Sequence, residues 1–314
     1  MKTILVPLDG SILAEQVLPS VRVLAPLLDA RVCLLRVVAE PDEDGLLPET
    51  IAATYSVGEP LAMAHQRWRH SLERLRQNAE RYLESHAALL HGDGLDVAFD
   101  VRCGPAADAI VEAALNHHVA LIALASHGYS GVRRWALGSV ADRVVRATSI
   151  PTLIVRRAAP AQERAIKRIM VPLDGSALAQ QALPLATELT RSTHAELLLV
   201  RAVVPTIDDC ASFSPRHGQL MEYGEVLAAL RHQAASDLDT LADQLRSHEV
   251  TITTHVVNGH AAEVLVDAAA QRGVDLIVMA THGYGGLRRW ALGSVADKVL
   301  HAATTPLILV RAQP

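Results

Sequence analysis

A small residue, two further residues, a glycine, nine residues and then Gly-Ser make a spacing that can hold an anion. The chain carries it twice, as Ala125, Gly128 and Gly138-Ser139 and again as Ala280, Gly283 and Gly293-Ser294. Glycines at the end of a strand let main-chain amides approach an anion closely. A Gly-Ser that opens a helix adds free N–H groups and the positive end of the helix dipole. A nucleotide phosphate chain could span the two ends of such a loop. A plainer reading stands beside it: Ser139 with Asp142, and Ser294 with Asp297, have the spacing of a capping box, which satisfies helix-start amides without any ligand.

The loop is not the only repetition. Arg133 to Asp142 reads letter for letter as Arg288 to Asp297, and Ile4-Leu5-Val6-Pro7-Leu8-Asp9-Gly10-Ser11 returns as Ile169-Met170-Val171-Pro172-Leu173-Asp174-Gly175-Ser176. Ser126-His127-Gly128-Tyr129 returns as Thr281-His282-Gly283-Tyr284. A period far above the 20–50 residues of a solenoid means that each copy buries its own core. The expected division is a first domain over 1–157, a linker over 158–164 and a second domain over 165–314.

Alternating strands and helices must position these residues. In the first copy, apolar runs at Lys2 to Leu8, Val32 to Val38, Val97 to Arg102, Val119 to Ala125 and Thr152 to Val155 read as strands. Their continuous Val, Ile and Leu content marks strands covered on both faces. A helix is expected from about Ile12 to Asp29, broken or kinked at Pro19, with Pro184 its counterpart. Long amphipathic helices follow near Gln66 to Leu90 and Leu227 to Arg246, after inserts that share almost nothing. The expected fold is α/β: two tandem doubly wound domains, each a five-stranded parallel sheet flanked by helices, with ligand space at the carboxyl ends of the strands.

Composition narrows the function. A formal net charge of -5 gives no basic face to displace counterions from a nucleic acid, and 3% aromatic residues leave few platforms for stacking bases. No run approaches the 18 apolar residues of a membrane span, and the N-terminus does not read as a secretory signal, so a cytoplasmic protein is expected. Cys33, Cys103 and Cys210 lie at unrelated spacings and read as core or loop residues, not as a disulfide or zinc framework.

No Walker loop with its lysine, no kinase signature and no Gly-x-Ser-x-Gly elbow occurs. The site is therefore expected to hold a ligand, with slow hydrolysis or self-phosphorylation as the most chemistry it could support. His127 and His282 could serve as acid or base but have no identifiable partner and read as hydrogen-bonded scaffolding. The Arg133-Arg134 and Arg288-Arg289 pairs could neutralise an outer phosphate but read more simply as solvated loop charges. His117-His118 reads as surface, and Trp135 and Trp290 as packing.

Taken together, Val-Pro-Leu-Asp-Gly-Ser, the Gly104-Pro105-Ala106 and Gly259-His260-Ala261 turns, the Leu276-to-Gly283 strand and loop and the Gly-Ser helix start resemble the universal stress proteins of the UspA family, in both copies. That resemblance implies a Rossmann-like fold of the adenine nucleotide α-hydrolase type and ATP, with its magnesium ion, as cofactor. It departs from the ATP-binding pattern where Ala125 and Ala280 stand for the first glycine. Residue by residue, it implies that Pro7 and Asp9, with Pro172 and Asp174, end strand one beside the nucleotide. The aspartates would touch ribose or phosphate-bound Mg2+, although Asp-Gly-Ser alone makes a turn and caps a helix. Val37 and Ala202 would offer main-chain groups to adenine, and Leu124 and Met279 would line the base pocket. Ala125, His127 and Gly128, with Ala280, His282 and Gly283, would border the ribose and α-phosphate. Gly138, Ser139 and Val140, with Gly293, Ser294 and Val295, would hold the phosphate tail.

The same resemblance implies pairing through the last strands, Pro151 to Val155 and Pro306 to Val310, giving an intramolecular pseudo-dimer that could assemble further into a homodimer and meet an unidentified protein partner. Two other readings compete with a nucleotide-binding stress and signalling module. One is an interaction module with vestigial pockets. The other is an ATP-pyrophosphatase-like enzyme, against which Leu8-Asp9-Gly10-Ser11 lacks the expected Ser-Gly-Gly loop.

Overall fold

Each half opens with a strand that is apolar on both faces: β1 (Lys2–Pro7) is buried from Thr3 to Val6, and β6 (Arg168–Pro172) from Ile169 to Pro172. The computed structural model describes residues 1–38, 61–117, 119–126, 137–156, 165–205, 223–246, 250–282 and 292–312, with the main chain alone over 61–68. The first half adds β2 (Ala30–Val38), β3 (Val97–Cys103), β4 (Val119–Ser126) and β5 (Thr152–Arg156). The second adds β7 (Glu196–Val203), β8 (Thr251–Asn258), β9 (Leu276–Ala280) and β10 (Leu307–Val310).

The strands form one sheet in the order β3-β2-β1-β4-β5-β10-β9-β6-β7-β8. Pairing within each half is parallel, as buried Val, Ile and Leu runs require. At the middle, β5 and β10 run antiparallel, with Leu307 opposite Ile154, Ile308 opposite Leu153 and Leu309 opposite Thr152. In each half the order turns back at its first strand, which has strand two on one side and strand four on the other. A switch of this kind leaves a crevice at the carboxyl ends.

Helices cover both faces. Against one lie α1 (Leu18–Leu27) and α2 (Leu61–Gly92), with α5 (Ala177–Gln180), α6 (Leu183–Thr193) and α7 (Tyr223–Leu245) in the second half. Their apolar positions, among them Val21, Leu24, Leu83, Ala186 and Leu238, share a core with Ile4, Leu34, Ile169 and Leu197. Against the other face lie α3 (Ala106–Asn116), α4 (Ser139–Ala147), α8 (Ala261–Gln271) and α9 (Ser294–Ala302). There Ile110, Val144, Leu265 and Val299 pack on Leu5, Leu35, Met170 and Ile277. Among the described residues no helix is long and apolar enough to cross a membrane.

The first connection departs from the single helix expected over Ile12 to Asp29. A 3-10 turn over Ala14–Val17 precedes α1, and Leu18 N–H donates to the Glu15 carbonyl. Pro19 has no N–H to give that carbonyl four residues back, so the helix starts beside it instead of running through. In the second half the short α5 and the longer α6 are divided in the same way before Pro184. The two long helices are extended beyond expectation at their amino ends, to Leu61 and Tyr223. The linker 158–164, most of both inserts, Cys210, the two arginine pairs and both loop tryptophans lie outside the described residues. Cys33 and Cys103 form no disulfide among the described residues, and burial pushes the Cys33 thiol up to about 11.

Candidate functional site

The crevice is made by strands that stop at different heights. Beyond Pro7 the chain leaves the sheet after one more bond, from Leu8 N–H to the Leu35 carbonyl at 2.8 Å. Leu173 does the same to Val200 at 2.8 Å. Alternate residues of a strand turn their main-chain groups to the same edge. Val37 therefore turns its N–H and C=O to the side on which Leu35 met β1, where β1 has already ended. Ala202 stands in the same relation to β6. Both expected main-chain edges thus face the crevice, and the side-chain difference does not alter that direction.

The Asp-Gly-Ser turn sits at the crevice rim. Asp9 Oδ1 accepts from Ser11 N–H at 2.9 Å and from its hydroxyl at 2.6 Å, while Ser11 Oγ accepts from Ala14 N–H at 3.1 Å. Asp174, Ser176 and Ala179 repeat these bonds at 2.9, 2.6 and 3.1 Å. One carboxylate oxygen in each half therefore makes a turn, whatever else the group touches. Burial alone would raise the Asp9 pKa; the Ser11 bonds and the nearby Arg36 charge outweigh it and hold the carboxyl below its ordinary value.

Arg36 and Arg201 were not among the expected site residues. Gly10 and Gly175 have φ of +83° and +90°, in the left-handed region that favours glycine, and each has an arginine guanidinium against it. A Cβ on Gly175 would meet Arg201 Nη2 at 3.0 Å, and one on Gly10 would collide with Arg36. The two arginines are held differently. Arg36 lies over the Tyr82 ring, 4.9 Å from its centroid, while Arg201 donates to Asp237 Oδ2 at 2.7 Å. Tyr82 and Asp237 occupy equivalent places, because Ala79, Leu83 and Ala87 are buried on α2 at the spacing of Ala234, Leu238 and Ala242 on α7. An arginine at the same place in two apolar stretches, Leu34-Leu35-Arg36-Val37 and Leu199-Val200-Arg201-Ala202, was the available signal.

Strand four ends opposite this turn. Leu124 and Met279 are buried in the apolar core, Ala280 is buried and Ala125 half-buried. His127, Gly128 and Gly283 lie outside the described residues. His282 Nδ1 is 3.1 Å from Thr281 Oγ1, consistent with a hydrogen-bonded scaffold position. Where the loop returns, Gly138 and Gly293 are the N-caps of α4 and α9, and neither helix has a side-chain cap. The capping box is not formed. Ser139 and Ser294 are already the first helical residues, one place too late to cap. Asp142 turns its carboxylate to Arg146 at 2.9 Å. The helix starts are thus open, and Val140 and Val295 behind them are partly exposed, at 38% and 37%. Gly293 also has a packing role: its N–H donates to the Thr281 carbonyl at 2.9 Å, and a Cβ would stand 2.9 Å from that oxygen.

Among the described residues no group of three or more His, Cys, Asp or Glu side chains gathers into a metal site. Main-chain edges at Val37 and Ala202, carboxylates at the rim and helix starts without a side-chain cap bring hydrogen-bond donors and acceptors to one crevice in each half.

A sequence model of the Universal stress protein family matches residues 1–156 and again 165–311. The chain is 28% identical over 149 residues to universal stress protein YxiE of Bacillus subtilis, covering 46% of this chain and 98% of that one. It is 30% identical over 151 residues to a universal stress protein of Methanocaldococcus jannaschii, covering 48% of this chain and 84% of the other. A universal stress protein of Mycobacterium bovis aligns over 203 residues at 29% identity, 63% of each chain. Among solved structures, a universal stress protein from Archaeoglobus fulgidus superposes with a TM-score of 0.68 at 18% identity, over 98% of both chains, a likeness of fold.

Proposed function

The chain belongs to the universal stress protein family in both of its halves, and on that premise we propose that each domain binds ATP and that nucleotide state alters contacts with a protein partner in a cytoplasmic stress response. The observation that carries the reading is a juxtaposition present twice. A main-chain edge left open by the end of strand one, at Val37 and Ala202, faces the same crevice as an uncapped helix start, at Gly138 and Gly293. A strand edge with one donor and one acceptor suits the adenine rim. Open helix-start amides suit phosphate.

In this reading Val37 and Ala202 select the base through main-chain bonds. Asp9 and Asp174 use the oxygen not committed to the turn for ribose or the phosphate-bound magnesium ion, which supplies charge neutralisation when the nucleotide is present. Ser139, Val140, Ser294 and Val295 present amides to the phosphate tail. No general base or nucleophile is assigned, so retention of the nucleotide is the function and hydrolysis, if any, is slow. The β5–β10 junction would keep the two domains together in solution, with homodimer formation left to other surfaces.

Calorimetry with magnesium-ATP on nucleotide-free protein tests this. Two sites per chain are expected, falling to one in Gly138→Leu, whose side chain would block the phosphate approach in the first domain. Gly293 is the poorer probe because its Cβ would meet the Thr281 backbone. A folded parent that takes no ATP would leave the interaction module with vestigial pockets as the better account. The turn-making role of Asp9 and the packing role of Gly293 favour that alternative.

A further inference from the structure

The two halves fasten the same arginine to unlike partners. Arg36 on β2 and Arg201 on β7 each set a guanidinium against the left-handed glycine of an Asp-Gly-Ser turn, Gly10 in one half and Gly175 in the other. On α7, Asp237 Oδ2 accepts from Arg201 Nη1 at 2.7 Å, and its Oδ1 accepts from Gln233 at 2.7 Å, so the carboxylate is itself held in place. On α2 the equivalent place belongs to Tyr82, and Arg36 lies over its ring, 4.9 Å from the centroid. Arg36 forms no ion pair among the described residues. Glu15 is engaged at the hydroxyl end of the ring, where its Oε1 accepts from Tyr82 at 2.9 Å and stands 3.4 Å from His86 Nε2.

These partners leave different charges beside the crevice. A ring face attracts a cation without cancelling its charge, whereas a carboxylate in contact cancels it. Attraction falls with distance and is screened by solvent, so Glu15, beyond the tyrosine hydroxyl and shared with His86, offsets Arg36 less than Asp237 offsets Arg201. The Arg36 charge reaches the rim carboxylate: burial raises the Asp9 pKa, and the turn's hydrogen bonds together with Arg36 bring it below its ordinary value. A polyanion entering the first crevice thus meets a cation whose charge is not spent. In the second it meets one already shared with an acid.

We propose that Arg36, held by Tyr82, lets the first domain take its nucleotide as the free anion, whereas Arg201, neutralised by Asp237, obliges the second to take it as the magnesium complex. The inference rests on the nucleotide reading and names the form of ligand that each site accepts. Arg36 and Arg201 are positioning residues, which touch the turn and act on the ligand through it and through their charge.

One arm of the test needs no ligand. Phenylglyoxal condenses with guanidino groups and an ion pair slows it, so peptide mass spectrometry of the nucleotide-free chain should show Arg36 modified faster than Arg201. Asp237→Asn should bring the Arg201 rate up towards that of Arg36. Equal rates in the parent, or no response to Asp237→Asn, overturn the difference in charge.

The other arm is calorimetry of the whole chain with ATP, in magnesium and in EDTA. Two sites are expected in magnesium. In EDTA the second site should weaken about fivefold more than the first, and Gly138→Leu, which closes the first, should remove the binding that survives EDTA. Asp237→Asn should restore the second site in EDTA, and Tyr82→Asp should weaken the first there by a similar factor. Asp237→Asn is nearly isosteric, so the test stands even if Tyr82→Asp loosens α2. A merely structural role would lower binding alike in both conditions. Two sites equally sensitive to EDTA overturn the inference and leave the nucleotide reading intact. No ATP binding in either condition overturns the nucleotide reading and the inference with it, whatever the labelling shows.

Discussion

Arg156 and Arg311 cross the middle of the sheet in opposite directions. Arg156 ends the last strand of its domain and Arg311 directly follows that of the other, and each donates to a main-chain carbonyl in the last turn of a helix of the opposite domain, Arg156 to His301 and Arg311 to Arg146, the latter at 3.1 Å. Those carbonyls end α9 and α4, whose opposite ends open on the two crevices. A cation at a helix carboxyl end also complements the dipole. Removing it in Arg311→Ala should cost about 1–2 kcal/mol, read as a lower urea midpoint for the intact chain. An unchanged midpoint would mean that the contact contributes nothing.

Serines at two kinds of helix start should behave differently. Ser176 Oγ accepts from Ala179 N–H at 3.1 Å as the N-cap of α5, so Ser176→Ala should cost about 1 kcal/mol. Ser139 and Ser294 follow their N-caps and make no cap bond, so alanine there should shift stability by no more than about 0.5 kcal/mol. Equal losses at all three positions in chemical denaturation would restore the capping-box reading.

Gly293 has φ −61°, which any residue adopts, so the cost of Gly293→Ala is purely steric. The added Cβ meets a backbone oxygen at 2.9 Å that cannot swing away as a side chain would, and about 1–3 kcal/mol should be lost. Gly224, on α7 with nothing within 4 Å of a Cβ, is the control, where alanine should stabilise by about 0.5–1 kcal/mol through helix propensity. Thermal melts of the two variants moving in the same direction would contradict the close approach.

The depressed Asp9 carboxyl gives a pH signature. A carboxylate whose folded pKa lies below its unfolded value contributes stability that is fully present above the unfolded value and is lost as pH falls through the folded one. Asp9→Asn should therefore be less stable than the parent at pH 7, with the gap closing as pH drops below the ordinary value of 3.8. A gap that persists unchanged into acid would assign the effect to the turn's hydrogen bonds and not to the charge.

The strands were legible because burial on both faces forces unbroken runs of Val, Ile and Leu, and the repeat made each assignment twice. The division of the first helix was legible only in part: Pro19 announces an interruption, but its form depends on which carbonyl loses its donor. The expected capping box has the right letters and the wrong register, since a one-residue shift of the helix start turns Ser139 from cap to first turn. Arg36 and Arg201 escaped notice because charged residues at strand ends are common, and nothing in the letters shows that both guanidinium groups close on a glycine.

The antiparallel junction of β5 with β10 joins two copies that a symmetric pair would have to keep identical. In such a pair every substitution appears on both sides at once, so neither crevice can specialise without the other following. One covalent chain lifts that restriction. Arg36 can lie over Tyr82 in one half while Arg201 meets Asp237 in the other. The fused arrangement is thus a means of making two unlike sites from one ancestral plan, with the shared sheet holding their distance fixed while their preferences separate.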